Sequence, residues 1–228
     1  MDEAQVPGRD AFEVEIEAIC HACNTGWMHR IEMQISKWIG PSLNNGTGTF
    51  PLDQHQREVV GAWAVKTGLM VELALRELRH PSFVPESHFG WLYEHREHPS
   101  PPPGCVIWMF GVSLNFGSGK WLRLASSNSL RLVEDGVGVP PAYFVTFHTG
   151  LIGFQVFGPD MAALDAEAMS PPFPVPAKID PLISRVWPAP RKPPLRWPPK
   201  PPKRVLGMAE LEYLAEWPRM TMRPPQSR

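Results

Sequence analysis

The stretch FEVEIEAICHACNTGWMHRIEMQISKWIGP, residues 12–41, changes its hydrophobic period half-way, and that change decides how the chain is read. Phe12, Val14 and Ile16 alternate with Glu13, Glu15 and Glu17, the two-residue period of a half-buried strand. From Trp27 the period becomes helical. Trp27, Ile31, Ile35 and Trp38 or Ile39 share one face, with His29, Arg30, Glu32, Gln34 and Lys37 opposite. Gly40-Pro41 predicts the end of this helix. Between strand and helix stand Cys20-His21-Ala22-Cys23 and a turn signal, Asn24-Thr25-Gly26.

Downstream, Asp53 is a suitable N-cap for a second helix running to about Arg79. Val59, Val60, Trp63, Thr67, Met70, Leu73, Ala74 and Leu78 give it a wide apolar face, so it is expected at the centre of the protein. Gly61 and Gly68 each cost such a helix about 1 kcal/mol relative to Ala, which close approach of another element would explain. A short helix or turn is expected over 86–96. Strands are expected over 105–112, 120–125, 129–133 and 142–158, the last folding into a hairpin near Thr149-Gly150. A short helix is expected over 160–169 and a final helix over 205–217. The pattern predicts an α+β fold with a strand–knuckle–helix unit (1–41) and a core domain (42–170). That core domain carries an antiparallel sheet of about 4–5 strands. A proline-rich extended strap (171–204) and a C-terminal helix with its tail (205–228) complete it.

Composition narrows the function classes. Apolar residues make up 43% and charged residues 20%, so a packed core is within reach. The 28 prolines concentrate in the strap, which holds 13 of them. No window is apolar enough to cross a membrane, and the start MDEAQVPGRD lacks the features of a secretory leader. A cytoplasmic protein without a membrane partner is expected. Three cysteines are too few for a disulfide scaffold. A net charge of −1 excludes a globally basic nucleic-acid binder but leaves room for a local patch.

The Cys20-x-x-Cys23 pair has two chemical uses. Two thiolates on a tight turn can hold half of a zinc site, with the other ligands from elsewhere. A dithiol at a helix start can instead act as a thiol–disulfide oxidoreductase. The plainer reading is a pair of inert buried thiols. Candidate further zinc ligands are His21 and His29, close in sequence, and the His95-x-x-His98 pair; an exposed polar loop would carry such histidines equally well. Cys105 opens an apolar strand and reads as a small buried hydrophobe. Lys66, among Trp63, Ala64, Val65 and Leu69, is either a tuned base or nucleophile or a lysine that pairs with a nearby carboxylate.

The strap segment RVWPAPRKPPLRWPPKPPKR (185–204) carries seven Lys/Arg and no acid. Arg191, Lys192, Arg196 and Lys200, interleaved with Trp187 and Trp197, could follow a nucleic-acid backbone. The same residues also suit a stiff strap whose tryptophans pack back on the domain, and its P-x-x-P spacings suit a peptide-binding groove.

The segment CHACNTGWMHRIE resembles the C-x-x-C-N-x-G-W-M-x-x-L/I-E element of bacterial HNH-endonuclease-like proteins. The resemblance extends more weakly to WAVKTGLMVE (63–72), IGFQVF (152–157) and the VWP…RWPP pattern (186–199). It implies that Cys20 and Cys23 form the second half of a structural zinc knuckle; Asn24 and Arg30 beside them are candidate nucleic-acid contacts. A nuclease of this kind uses a histidine base and a Mg²⁺-type ion on the scissile phosphate. Here residues 1–19 contain neither histidine nor cysteine, so the first zinc pair and the catalytic histidine element are missing. Either the true start lies upstream of Met1, or this is a degenerate member or one dependent on a second chain to complete the zinc site. As written it is expected to be nucleic-acid-associated but catalytically incomplete, with Mg²⁺ needed only if nuclease activity is restored. The competing expectation is a non-enzymatic scaffold or interaction protein with a structural C-x-x-C.

Overall fold

The computed structural model describes residues 19–45, 50–77, 85–112, 125–134, 137–160, 183–189 and 195–198, together with 211, 213 and 214. Most of the strand expected over 12–19 lies outside them, as do 120–124, the short helix over 161–169 and most of the C-terminal helix.

The chain enters a helical run at Cys20. It comprises α1 (His21–Cys23), a π-turn (Asn24–Met28) and α2 (His29–Asn45), with a kink at Gly26, whose φ and ψ are −92° and −108°. The expected turn at Asn24–Gly26 is thus absorbed into a bent helix start. Trp27, Met28, Ile31, Ile35 and Ile39 are all buried, as their spacing predicts, and Trp38 is half-buried at the edge. The helix does not stop at Gly40-Pro41, because Pro41 sits inside α2. Proline forfeits one backbone hydrogen bond there, but the turn beyond continues to Asn45.

After β1 (Phe50–Leu52) comes α3 (Gln54–Glu77). Its start is a reciprocal cap in which the Gln56 N–H donates to Asp53 Oδ1 at 2.8 Å and the Asp53 N–H donates to Gln56 Oε1 at 3.0 Å. α3 is buried on most of its circumference between Val59 and Ala74. The short helix α4 (Glu86–Glu94) follows.

The strands β2 (Val106–Gly111), β3 (Ala125–Glu134), β4 (Val137–Thr149), β5 (Ile152–Pro159) and β6 (Ile183–Trp187) make one antiparallel sheet in the order β3-β4-β5-β2-β6. The expected strand at 129–133 is longer than its pattern, and β4–β5 is the expected hairpin, with Gly150 at φ 55° in its turn. β7 (Leu195–Trp197) pairs with β1 as a separate two-stranded ribbon. Where it is described, the proline-rich segment is extended, and it contributes an edge strand to the main sheet and one strand to the ribbon.

The sheet has an apolar side chain on both faces, in keeping with period two. On one face Met109, Val145, Phe147, Phe154 and Val156 meet α3. Trp63 of α3 lies edge-on to Phe154 at 5.2 Å and to Phe147 at 5.9 Å. On the other face Trp108, Phe110, Phe144, Phe157 and Ile183 meet Leu211 and Leu214. There Gln155 Nε2 donates to the Leu214 carbonyl at 2.7 Å, which fastens the chain at Leu214 to the sheet. The fold is α+β. Among the described residues no helix is long and apolar enough to cross a membrane.

Candidate metal-binding knuckle

Cys20 occupies the N-cap of the helical run and Cys23 ends its first turn. The Cys23 N–H donates to Cys20 Sγ at 3.2 Å, so the sulfur does the work that a serine or aspartate oxygen does at an ordinary cap. Thr25 Oγ1 donates to the His21 carbonyl at 2.9 Å and the Asn24 N–H to the Cys20 carbonyl at 3.1 Å, which closes the turn. Below, the buried Trp27, Met28 and Ile31 anchor the turn in the core. Cys20 is exposed and Cys23 half-buried, and both are free thiols.

The two sulfurs differ in their electrostatics. A hydrogen bond from the Cys23 thiol, then one from the Cys23 N–H, hold the Cys20 thiol below its usual range. Cys23 is pushed up, first by that same bond to Cys20 and then by burial. Two groups work in the opposite direction on Cys23, namely the indole N–H of Trp27 and the guanidinium of Arg96. Arg96 belongs to the turn after α4, and the neighbouring Glu97 Oε1 accepts from Arg30 Nη2 of α2 at 2.8 Å. The structure thus brings the His95–His98 turn up to the knuckle, a neighbourhood that spacing alone does not reveal.

The candidate ligands fare unequally. His21, His29 and His98 are exposed. His95 is stacked on Trp91, with centroids 3.9 Å apart, and its Nδ1 donates to the Trp91 carbonyl at 2.9 Å. Among the described residues no three His, Cys, Asp or Glu side chains converge closely enough to hold a metal ion. The two thiols do fit half of such a site. They stand on one turn, Cys20 exposed and Cys23 half-buried, with the Cys23 N–H donating to Cys20 Sγ.

The candidate nucleic-acid contacts are scattered. Asn24 is exposed, while Arg30 is committed to Glu97. Arg196 is exposed on β7 opposite Pro51, and Arg191, Lys192 and Lys200 lie outside the described residues. Trp197 is buried and Trp187 half-buried, both against the core. The peptide bonds Trp187–Pro188 and Trp197–Pro198 are cis.

A second polar cluster lies inside the protein. His88 Nε2 donates to the Pro159 carbonyl at 2.9 Å, which leaves Nδ1 to accept from Tyr143 Oη at 3.1 Å. Cys105 Sγ is 4.0 Å from the same Nδ1. A cysteine beside a histidine suggests a nucleophile, but burial pushes the Cys105 thiol far up and holds His88 down to about 4. Both groups stay neutral at pH 7, the reverse of an activated pair. Cys105 is the buried residue the sequence suggested.

The chain matches no family model, and no curated protein or solved structure is significantly similar to it.

Proposed function

We propose that the chain is a cytoplasmic, nucleic-acid-associated protein of the HNH-endonuclease-like kind. In this reading Cys20 and Cys23 supply two of the four ligand positions of a structural zinc ion. The observation that supports this is the knuckle itself. Its thiols share one turn, Cys20 exposed and Cys23 half-buried, while Trp27, Met28 and Ile31 after them are locked into the core. A reducing compartment such as the cytoplasm keeps these thiols available to metal. The remaining ligands come from a second chain or from residues outside those described. No recognisable HNH base is present among the residues, so the proposed role is binding rather than cleavage, and Mg²⁺ enters only with a partner that supplies the missing half.

Two measurements test this. The purified protein should carry zinc, and Cys20→Ser should lose it and unfold at lower urea. Retention on immobilised DNA should fall steeply with salt, as binding to phosphates requires. A zinc-free protein whose stability ignores Cys20→Ser would remove the zinc reading. Absence of DNA retention even at low salt would leave the second reading, an interaction scaffold. That reading draws support from Trp187 and Trp197, which face the core and are not free to stack on bases.

A further inference from the structure

Cys20 and Cys23 lie on one turn, and the kink at Gly26 comes after both of them. Cys20 is the N-cap of α1, and its carbonyl accepts from the Asn24 N–H at 3.1 Å, so the backbone between the cysteines follows a helical turn. Residues three apart on such a turn have Cα atoms about 5 Å from each other, inside the roughly 4.4–6.8 Å that a disulfide spans. Cys20 Sγ stands 3.2 Å from the backbone nitrogen of Cys23. Rotation about the Cα–Cβ bonds can therefore join the two sulfurs without moving the backbone. Trp27, Met28 and Ile31, buried just beyond the pair, hold the turn to the core. Both thiols are free, Cys20 exposed and Cys23 half-buried, whereas the third thiol of the chain, Cys105, is only 2% exposed.

We propose that Cys20-x-x-Cys23 is a redox modification site, which a low-molecular-weight disulfide converts to an intramolecular disulfide, with Cys20 attacked first and Cys23 resolving. Cys20 comes first because it is the one open to solvent. Its sulfur gives up a proton to water and attacks one sulfur of R–S–S–R. That S–S bond breaks, and RS⁻ leaves and takes up a proton. The Cys23 sulfur then loses its proton and attacks the Cys20 sulfur of the mixed disulfide, releasing the second RS⁻. Two protein thiols are oxidised and one small disulfide is reduced to two thiols. The step needs no metal and goes beyond the zinc reading, although a bound metal would occupy the same sulfurs. In a reducing compartment such a bond forms only transiently, as in redox sensing.

The test treats the full-length, metal-free protein with oxidised glutathione at neutral pH, then unfolds and alkylates it for mass spectrometry. One of the three thiols should still take the label, Cys105, with no glutathione retained and Cys20 linked to Cys23. In Cys23→Ser the reaction should stop at a glutathione adduct on Cys20. In Cys20→Ser, which keeps an oxygen at the cap, Cys23 should form its adduct at least about 10-fold more slowly, as its smaller exposure requires. Three alkylated thiols in the unaltered protein, or a lasting glutathione adduct in place of the disulfide, overturn the proposal without recourse to a variant. Equal rates in the two variants overturn the order of attack. Repeating the reaction with Zn²⁺ present separates the two readings. A disulfide that forms equally fast supports this proposal and counts against the zinc reading alone.

Discussion

Lys66, in the middle of the central helix, donates to Glu32 on the helix that carries the knuckle. The lysine side chain is 6% exposed and the carboxylate 51%, so a nearly buried ammonium finds its counter-charge at the surface. The pair ties α2, the helix that follows the knuckle, to α3. Removing the acid strands the buried cation, whereas removing the cation leaves a carboxylate already in contact with water. Glu32→Ala should therefore cost about 1–2 kcal/mol, and Lys66→Met should be close to neutral. The double variant should recover most of the Glu32→Ala loss. Urea midpoints of the four proteins check this, and equal losses in both single variants would show that burial does not decide the asymmetry.

The two glycines inside α3 look alike in sequence and differ in space. A Cβ built on Gly61 would stand 2.7 Å from Pro101 Cγ, whereas one on Gly68 would meet Val145 Cβ at an ordinary 3.6 Å. Only Gly61 is required by a close approach. Gly68→Ala should raise stability by about 0.5–1 kcal/mol through helix propensity. Gly61→Ala should lower it by about 1–3 kcal/mol by pressing against a ring that cannot rotate away. Thermal unfolding of the two variants should move in opposite directions.

Two other glycines lie under aromatic rings across the sheet. Gly153 stands opposite Phe110 and Gly158 opposite Tyr143. A Cβ at Gly153 would come within 2.0 Å of Phe110 Cε2, and one at Gly158 within 2.2 Å of Tyr143 Cζ. Each ring lies over the bare backbone of its neighbour. Gly153→Ala and Gly158→Ala should each cost about 3 kcal/mol and show as a large fall in urea midpoint. Pairing Gly153→Ala with Phe110→Leu should restore part of the loss, since the shorter side chain vacates the overlap.

Periodicity carries much of this fold. The i, i+4, i+8 apolar set from Trp27 to Ile39 reports the buried face of α2, and the apolar girth of 59–75 reports the central place of α3. Punctuation is less reliable. Gly40-Pro41 marks a helix end that does not occur, because one lost hydrogen bond is tolerated when the following turn still forms. The strap's strands are hidden for a different reason. Prolines lower β-propensity, but an edge strand such as β6 has one side free of the ladder and can accept them nearby. The knuckle is legible as a C-x-x-C, and so is the chemistry it suggests. Its surroundings are not. Arg96 and Glu97 reach it from far along the chain, and Lys66 finds Glu32 across a helix pair rather than along its own helix. Contacts of that kind depend on how elements dock, which residue spacing does not encode.

The buried His88 gives the protein a definite response to acid. Its ring is enclosed by Tyr143, Cys105 and the Pro159 carbonyl, and burial holds it down to about 4, with the Asp160 carboxylate as the nearby charge that partly offsets this. An unfolded histidine titrates near its ordinary 6.5. Between these two values the unfolded chain binds a proton that the native protein refuses, so stability rises with pH across the window and falls as pH drops through it. The loss from this one residue between pH 6.5 and pH 4 amounts to about 3 kcal/mol. His88→Gln can still offer a donor to Pro159 and an acceptor to Tyr143, but it has no proton to gain. Urea midpoints at pH 7, 5.5 and 4.5 should therefore fall more steeply for the unaltered protein than for His88→Gln, with the gap opening below pH 6.5. Parallel curves would mean that His88 accepts its proton inside the folded protein, and that the ring is less enclosed than its two hydrogen bonds imply.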